Sequence, residues 1–233
     1  MIRAIFFDWF NTLARFQPSR AEIHSRAFKE YGIELAPEKL TEGLLLADNY
    51  WFEAKAKGKF KQDPQDQLAF RIRYEEKVLS VAGASVPQAT LMKVMERIQE
   101  LYKGVSFILF DDVLITLQAL KERDYTLGII TNLEQDMNAL SQQMGLSSFI
   151  SLIITPKEAG VNKPSPLIFT TALQHARVKP REAIHIGDQY KIDTLGAHRA
   201  GLNAILMDRF NIYPGITDFP RITSMTQLIT HLN

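Results

Sequence analysis

Six polar side chains with complementary chemistry stand at or just past short apolar runs of the 233-residue chain: Asp8, Thr131, Asn132, Lys163, Asp188 and Asp193. Asp8 closes the run Ile5-Phe6-Phe7, where a carboxylate can serve as a nucleophile, a metal ligand or both, or can simply cap the next loop. Thr131-Asn132 follows Leu127-Gly128-Ile129-Ile130. A hydroxyl and an amide beside backbone N–H groups can hold an oxyanion such as phosphate, although the same pair is also a common helix cap. Lys163 sits in Gly160-Val161-Asn162-Lys163-Pro164-Ser165-Pro166, a stiff turn that enters a helix at Pro166. Held that tightly, its ammonium could neutralise a bound anion and restrain a nucleophile, where an ordinary lysine would be solvated. In Ile184-His185-Ile186-Gly187-Asp188-Gln189-Tyr190-Lys191-Ile192-Asp193, Gly187 lets the backbone turn and Asp188 ends the run as Asp8 does. Asp193 falls near the start of the following helix, where an N-cap is the simpler role. Asp8 and Asp188 in an oxygen-rich surround suit Mg²⁺, and their close approach without a cation or Lys163 would be electrostatically costly.

These groups are useful only if the fold gathers them. Residues 2–7 predict a strand buried on both faces, with Asn11 and Thr12 in the loop beyond. Four helical patterns then follow without an intervening strand, at 21–31, 37–51, 67–81 and 88–102. After about residue 107, strands at 126–130, 150–154, 183–186 and 203–207 alternate with helices at 113–123, 135–144, 166–176 and 194–200. A loop over 210–220 and a short final helix complete the pattern. That alternation predicts an α/β fold with a parallel sheet, which the first strand must rejoin after the helical insertion. The expected division is a core of residues 1–15 and 105–233 with an inserted four-helix unit at 16–104. In such a sheet the chain leaves every strand at its carboxyl end, so distant strand-end residues share one crevice.

Composition narrows the partners. Lys plus Arg (27) balances Asp plus Glu (26), which gives no bulk attraction to nucleic acid or to an anionic membrane. With no cysteine, neither disulfides nor thiolate chemistry are available, which fits a reducing cytoplasm. The apolar stretches are too short to span a bilayer and no cleavable leader is evident. The expectation is a soluble cytoplasmic protein without a nucleic-acid or membrane partner, with the oligomeric state left open.

The ordered motifs resemble those of the haloacid dehalogenase (HAD) superfamily of hydrolases with a helical cap inserted after the first strand. The matching elements are Asp8 through Thr12-Leu13, Ile129-Ile130-Thr131-Asn132, Lys163-Pro164 with Glu158 upstream, and Gly187-Asp188 with Asp193. The resemblance implies a Rossmann-like core and a cap that opens and closes over the crevice. It also implies that Asp8 forms a covalent aspartyl intermediate, that Thr131 and Asn132 bind the transferring group, and that Lys163 neutralises charge. Mg²⁺ would be held by Asp8, Asp188 and the backbone carbonyl of Phe10, with Asp193 supporting the metal or orienting Lys163. The substrate expected on this basis is a small phosphate ester.

Phe10 departs from that pattern, because the superfamily's phosphatases normally place there an aspartate that protonates the leaving group and activates water. Phe10 can do neither, although its carbonyl remains. Three alternatives follow. A 2-haloacid dehalogenase carries an aromatic at this position and uses no metal, but Gly187-Asp188 does not match its pattern. A phosphonate hydrolase resembles Asp8-Trp9 and needs a cap lysine, for which Lys55, Lys57, Lys59 and Lys61 are available. A binding or regulatory protein on a decayed hydrolase fold is the third. Trp9 is expected to line the entrance and contact substrate, His24, Trp51, Phe52 and Lys55 are the cap candidates, and His185 is read as packing.

Overall fold

A computed structural model describes residues 1–56 and 63–232. The chain forms two compact units, residues 1–15 with 108–233 and residues 16–107. The first contains a six-stranded sheet ordered β5-β4-β1-β6-β7-β8, built from Leu152–Ile154, Thr126–Ile130, Ala4–Phe7, Ala183–Gly187, Asn203–Met207 and Arg221–Ile222. All five pairings are parallel. The remaining strands, β2 (Ala14–Gln17) and β3 (Ser106–Leu109), pair as a separate ribbon through which the chain passes between the units.

Burial explains the sheet order. Every residue of β1 and of β6 is buried, as strands covered on both faces must be. Gly128 of β4 lacks a side chain because a Cβ there would lie 3.0 Å from both Phe6 and Leu152 of the neighbouring strands. The helices of this unit are α5 (Val113–Lys121), α6 (Met137–Gln143), α7 (Pro156–Ala159), α8 (Pro166–Ala176), α9 (Leu195–Arg199) and α10 (Leu228–His231), after the four helices of the other unit. Phe6, Ile130, Ile168, Phe169, Leu173 and Leu202 share one apolar cluster between sheet and helices. The chain runs outward from β1 through β4 to β5 on one side, and through β6, β7 and β8 on the other. The reversal at β1 is the topological switch point at which α/β sheets bind ligands.

The second unit contains α1 (Arg20–Lys29), α2 (Pro37–Ala56), α3 (Pro64–Ala82) and α4 (Gln88–Tyr102). Ser19 and Glu22 form a capping box at the start of α1, and Asp63 caps α3. Ile23, Phe28, Ile72, Leu79, Leu91, Val94 and Ile98 form its main core. Helices α2 and α3 approach so closely at Gly43 that a Cβ would lie 2.7 Å from the Val78 carbonyl oxygen. Among the described residues, no helix is long and apolar enough to cross a membrane.

Several expectations are corrected. The ribbon strands β2 and β3, the short β8 and the one-turn helix α7 are not anticipated by sequence periodicity, because segments of two to four residues are too short to show a period. Asp193 does lie just before the start of α9, within a π-helical turn, Tyr190–Thr194, that sequence periodicity does not reveal. Trp9, expected at an entrance, is fully buried, since the amides of Leu13 and Ala14 both return to its carbonyl and fold the loop over it. His24 is likewise buried, with Nδ1 donating to the Arg20 carbonyl at 2.8 Å. Trp51 packs edge-on against Phe70 and Tyr74, and Phe52 is half-buried. The side chain of Lys55, and Lys57, Lys59 and Lys61, lie outside the described residues.

Candidate active site

Three adjacent strands, β4, β1 and β6, end in Thr131-Asn132, Asp8 and Asp188. The ladders continue past the strands, with the Asp8 amide donating to the Ile186 carbonyl at 2.8 Å and the Thr131 amide to Ile154 at 3.1 Å. Backbone geometry alone therefore places the motif residues side by side. Carboxylate oxygens of Asp8, Asp188 and Asp193 all lie within 4.8 Å of one another. Lys163 Nζ donates to Asp8 Oδ1 at 2.5 Å and to Asp193 Oδ1 at 2.6 Å, which makes it the shared counter-ion of two buried carboxylates.

The Lys163 main chain is itself held. Its amide donates to Asn132 Oδ1 at 2.7 Å, and Asn132 Nδ2 donates to the Lys163 carbonyl at 3.1 Å. Both ends of the Asn132 amide are thus turned to Lys163, so in this arrangement Asn132 orients the lysine. Thr131 is buried, and its hydroxyl oxygen accepts from the Leu133 amide at 3.2 Å. Beyond Asp8, Asn11 Nδ2 donates to Asp188 Oδ2 at 3.2 Å, while Thr12 Oγ1 lies 3.5 Å from Asp8 Oδ2. The sequence puts Asn11 and Thr12 in the loop beyond Asp8, and these contacts with the two carboxylates become visible only in the structure. Phe10, half-buried between them and Asp8, brings an aromatic ring and a main-chain carbonyl but no acid.

Asp193 is the most constrained of the carboxylates. Its Oδ2 accepts from the Gln189 amide at 3.1 Å, and its Oδ1 is shared by Lys163 and His185 Nε2, the latter at 3.1 Å. A Cβ on Gly187 would lie 2.3 Å from Asp193 Cγ, so only glycine leaves room for this carboxylate. His185 does pack, edge-on against Phe169 at 5.2 Å, yet it is also a polar support of the site. The signal available in sequence was strand alternation, which puts His185 and Gly187 on the same face of β6.

The charges divide the carboxylates. Burial pushes Asp8 up to about 6 against the pull of Lys163, with Asp193 adding to the rise. Burial also drives Asp188 well above the usual carboxylate range, reinforced by Asp8 and Asp193. Asp193 goes the other way: its burial is outweighed by Lys163 and then by the His185 hydrogen bond, which hold it at about 2. Although burial opposes its charge, Lys163 is raised because Asp193 and Asp8 both face it. Burial lowers His185 despite Asp193. One ammonium thus stands among three carboxyl groups and bonds only two of them, leaving a site short of positive charge.

Residues 2–201 match the family model for haloacid dehalogenase-like hydrolases. The chain belongs to this hydrolase family. Human haloacid dehalogenase-like hydrolase domain-containing protein 3 is 27% identical over 213 residues, covering 88% of this chain and 82% of that protein. The ribulose-1,5-bisphosphate 5-phosphatase of Halopiger xanaduensis is 26% identical over 215 residues, 89% of this chain and 85% of the enzyme. Among solved structures, magnesium-bound YfnB of Bacillus subtilis superposes with a TM-score of 0.65 at 19% identity, covering 100% of this chain and 99% of that one. A 2-haloacid dehalogenase of Pseudomonas syringae has a TM-score of 0.57 at 26% identity, with 100% and 98% covered. The HAD hydrolase thus has a sequence relative named as a phosphatase and a structural neighbour named as a dehalogenase, and the site must discriminate between those chemistries.

Proposed function

We propose that this HAD hydrolase is a Mg²⁺-dependent phosphatase of small phosphate esters that works through an aspartyl-phosphate on Asp8. The observation that carries this reading is the carboxylate cluster around Lys163. It has more negative charge than its one ammonium offsets, and buried Asp188 Oδ1 has no hydrogen-bond partner among the described residues. An orphaned buried carboxylate oxygen facing two further carboxylates is the donor set a hard divalent cation takes, so the residues fit Mg²⁺. Asp8, Asp188 and the Phe10 carbonyl would hold it. When bound, the ion offsets the charge of the carboxylates and of the transferring phosphoryl group. Similarity to a ribulose-bisphosphate phosphatase supports the phosphate chemistry.

The chain's own residues supply the rest. An Asp8 oxygen attacks phosphorus as the ester P–O bond breaks and its electron pair leaves with the alcohol oxygen. Water then attacks the same phosphorus, the Asp8 O–P bond breaks and Asp8 departs as a carboxylate, while one proton of the water passes through solvent to the alkoxide released in the first step. Lys163, fixed by Asn132 and Asp193, keeps Asp8 ionised and neutralises phosphoryl charge. The bond from Leu133 uses a lone pair of Thr131, which leaves its O–H to donate to a phosphoryl oxygen. Phe10 offers no proton to the departing oxygen. Removing a general acid and base typically costs ~10²- to 10⁴-fold, so this phosphatase favours esters whose leaving groups need no protonation.

The competing reading is attack of Asp8 on a carbon–halogen bond. It is favoured by Phe10, because halide leaves unprotonated, and by the similarity to the Pseudomonas dehalogenase. Purified protein assayed against p-nitrophenyl phosphate and 2-chloropropionate, each with Mg²⁺ or EDTA and with Asp8→Asn as control, separates the two. Phosphate release requiring both Mg²⁺ and Asp8 is the expected result. Halide release insensitive to EDTA would reverse the assignment.

A further inference from the structure

The turn after Asp8 does more than connect β1 to β2. Asn11 Nδ2 is used on Asp188 and the Thr12 hydroxyl faces Asp8, so both polar side chains of the turn address the catalytic carboxylates. The turn places Asn11 at φ 59°, in the left-handed region that asparagine tolerates better than most side chains. Its geometry is fixed by bonds within the turn and by bonds from outside it. The internal bonds are Asn11 N–H to the Ala14 carbonyl at 2.7 Å, and Leu13 and Ala14 N–H to the Trp9 carbonyl at 2.9 Å each.

The turn is held from outside at two points: the Phe110 amide donates to the Leu13 carbonyl at 3.1 Å, and Arg209, just beyond β7 and with a side chain only 8% exposed, reaches the Thr12 carbonyl. Its Nε and Nη2 both donate to the Thr12 carbonyl, at 3.2 and 2.9 Å. Nη1 and Nη2 donate to the two oxygens of Asp112, each at 2.9 Å, and Cζ lies 4.0 Å from the Phe110 ring centroid. Asp112 is braced in turn by the Ser224 hydroxyl at 2.9 Å and the Met225 amide at 2.8 Å. This arrangement uses the planar fork of a guanidinium, and the point charge of a lysine cannot reproduce it. No chemistry assigned to the site uses Arg209, Asp112 or Ser224.

We propose that Arg209 is a positioning residue of the hydrolase: clamped by Asp112, it latches the Thr12 carbonyl and so sets the turn that aims Asn11 and Thr12 at Asp188 and Asp8. The inference rests on Asp8 being the nucleophile, but the latch itself has a readout independent of turnover. A shift of about 1 Å in a reacting group costs on the order of 10²-fold in rate, which sets the scale of the effect.

The test uses the full chain as Arg209→Gln, Arg209→Lys, Asp112→Asn and the Arg209→Gln/Asp112→Asn double variant. Amide hydrogen exchange at Asn11, Leu13 and Ala14 is followed beside that of β4 and β6, together with p-nitrophenyl phosphate kinetics in Mg²⁺. Each single variant should speed exchange in the turn by about tenfold or more while β4 and β6 stay protected. The kcat should fall about ten- to hundredfold with KM within about twofold, lysine should not rescue it, and the double variant should be no worse than the singles because the pair acts as a unit. Unchanged exchange in the turn overturns the proposal. So does an equal rise in β4 and β6, which would make Arg209 a general stabiliser. If the wild type releases no phosphate, the phosphatase reading fails while the exchange data still decide the latch. Should Arg209→Gln not fold, Asp112→Asn and Arg209→Lys carry the same readouts.

Discussion

Asp8 is more costly to the fold as a carboxylate than as an acid, and that cost can be measured. Its folded value of about 6 lies above the ordinary 3.8, so the folded chain binds this proton more tightly than the unfolded chain. Without metal, the stability linked to Asp8 is present below about 4 and is lost as pH rises through about 6. Asp8→Asn, which mimics the protonated form, is therefore expected to raise the Tm of metal-free protein at pH 7, by roughly 1–3 kcal/mol in stability. The gain should vanish near pH 4, and calorimetry at both pH values checks it. Asp193 contributes with the opposite sign: held at about 2, it stabilises above 3.8 and that contribution disappears as pH falls towards 2. Phe10 leads to a second expectation. With phenols of graded acidity as leaving groups, kcat/KM should drop steeply as the phenol becomes less acidic, and Phe10→Asp should flatten that slope, gaining about tenfold or more on alkyl phosphates. A slope unchanged by Phe10→Asp would mean that the introduced carboxylate does not reach the leaving group.

Elements, rather than single residues, explain why the site closes up so tightly. The π-helical turn Tyr190–Thr194 sets Asp193 against the end of β6, and Gly187 provides the space it enters. Gly187→Ala would drive a methyl group into the Asp193 carboxylate, so strand and turn must separate. The expected cost is about 1–3 kcal/mol of stability, read from urea unfolding, with a loss of hydrolysis because Lys163 loses one of its two carboxylate partners. Normal activity in Gly187→Ala would show that the turn can move without disturbing Lys163. Short elements were where sequence reading failed. Strands β2, β3 and β8 span two to four residues, and their existence depends on partners far along the chain rather than on any local period. The long helices α2, α3 and α4, whose apolar faces repeat over several turns, were legible.

The chain as a whole is expected to respond to metal. If Asp8 and Asp188 hold Mg²⁺, the ion binds only the folded form, and at about one hundred times its Kd it should add roughly 2.7 kcal/mol to stability. Thermal unfolding of the wild type should therefore shift upward with Mg²⁺, whereas Asp188→Asn should show little shift. An equal response in the two proteins would remove Asp188 from the metal site. The α/β class and the parallel sheet were readable from sequence, because hydrophobic periodicity reports which faces are buried, and the convergence of strand ends in such a sheet singles out Asp8, Thr131-Asn132 and Asp188 as neighbours. Sequence reading could not tell that Asn132 spends its amide on the Lys163 backbone, that Trp9 is buried or that His185 supports Asp193. Nor could it show that Arg209 reaches back to Thr12. Burial patterns are local and repeat along the chain, so one sequence carries them. Side-chain partnerships across 8 to 197 positions depend on backbone placement and rotamers, and they exist only once the sheet has assembled.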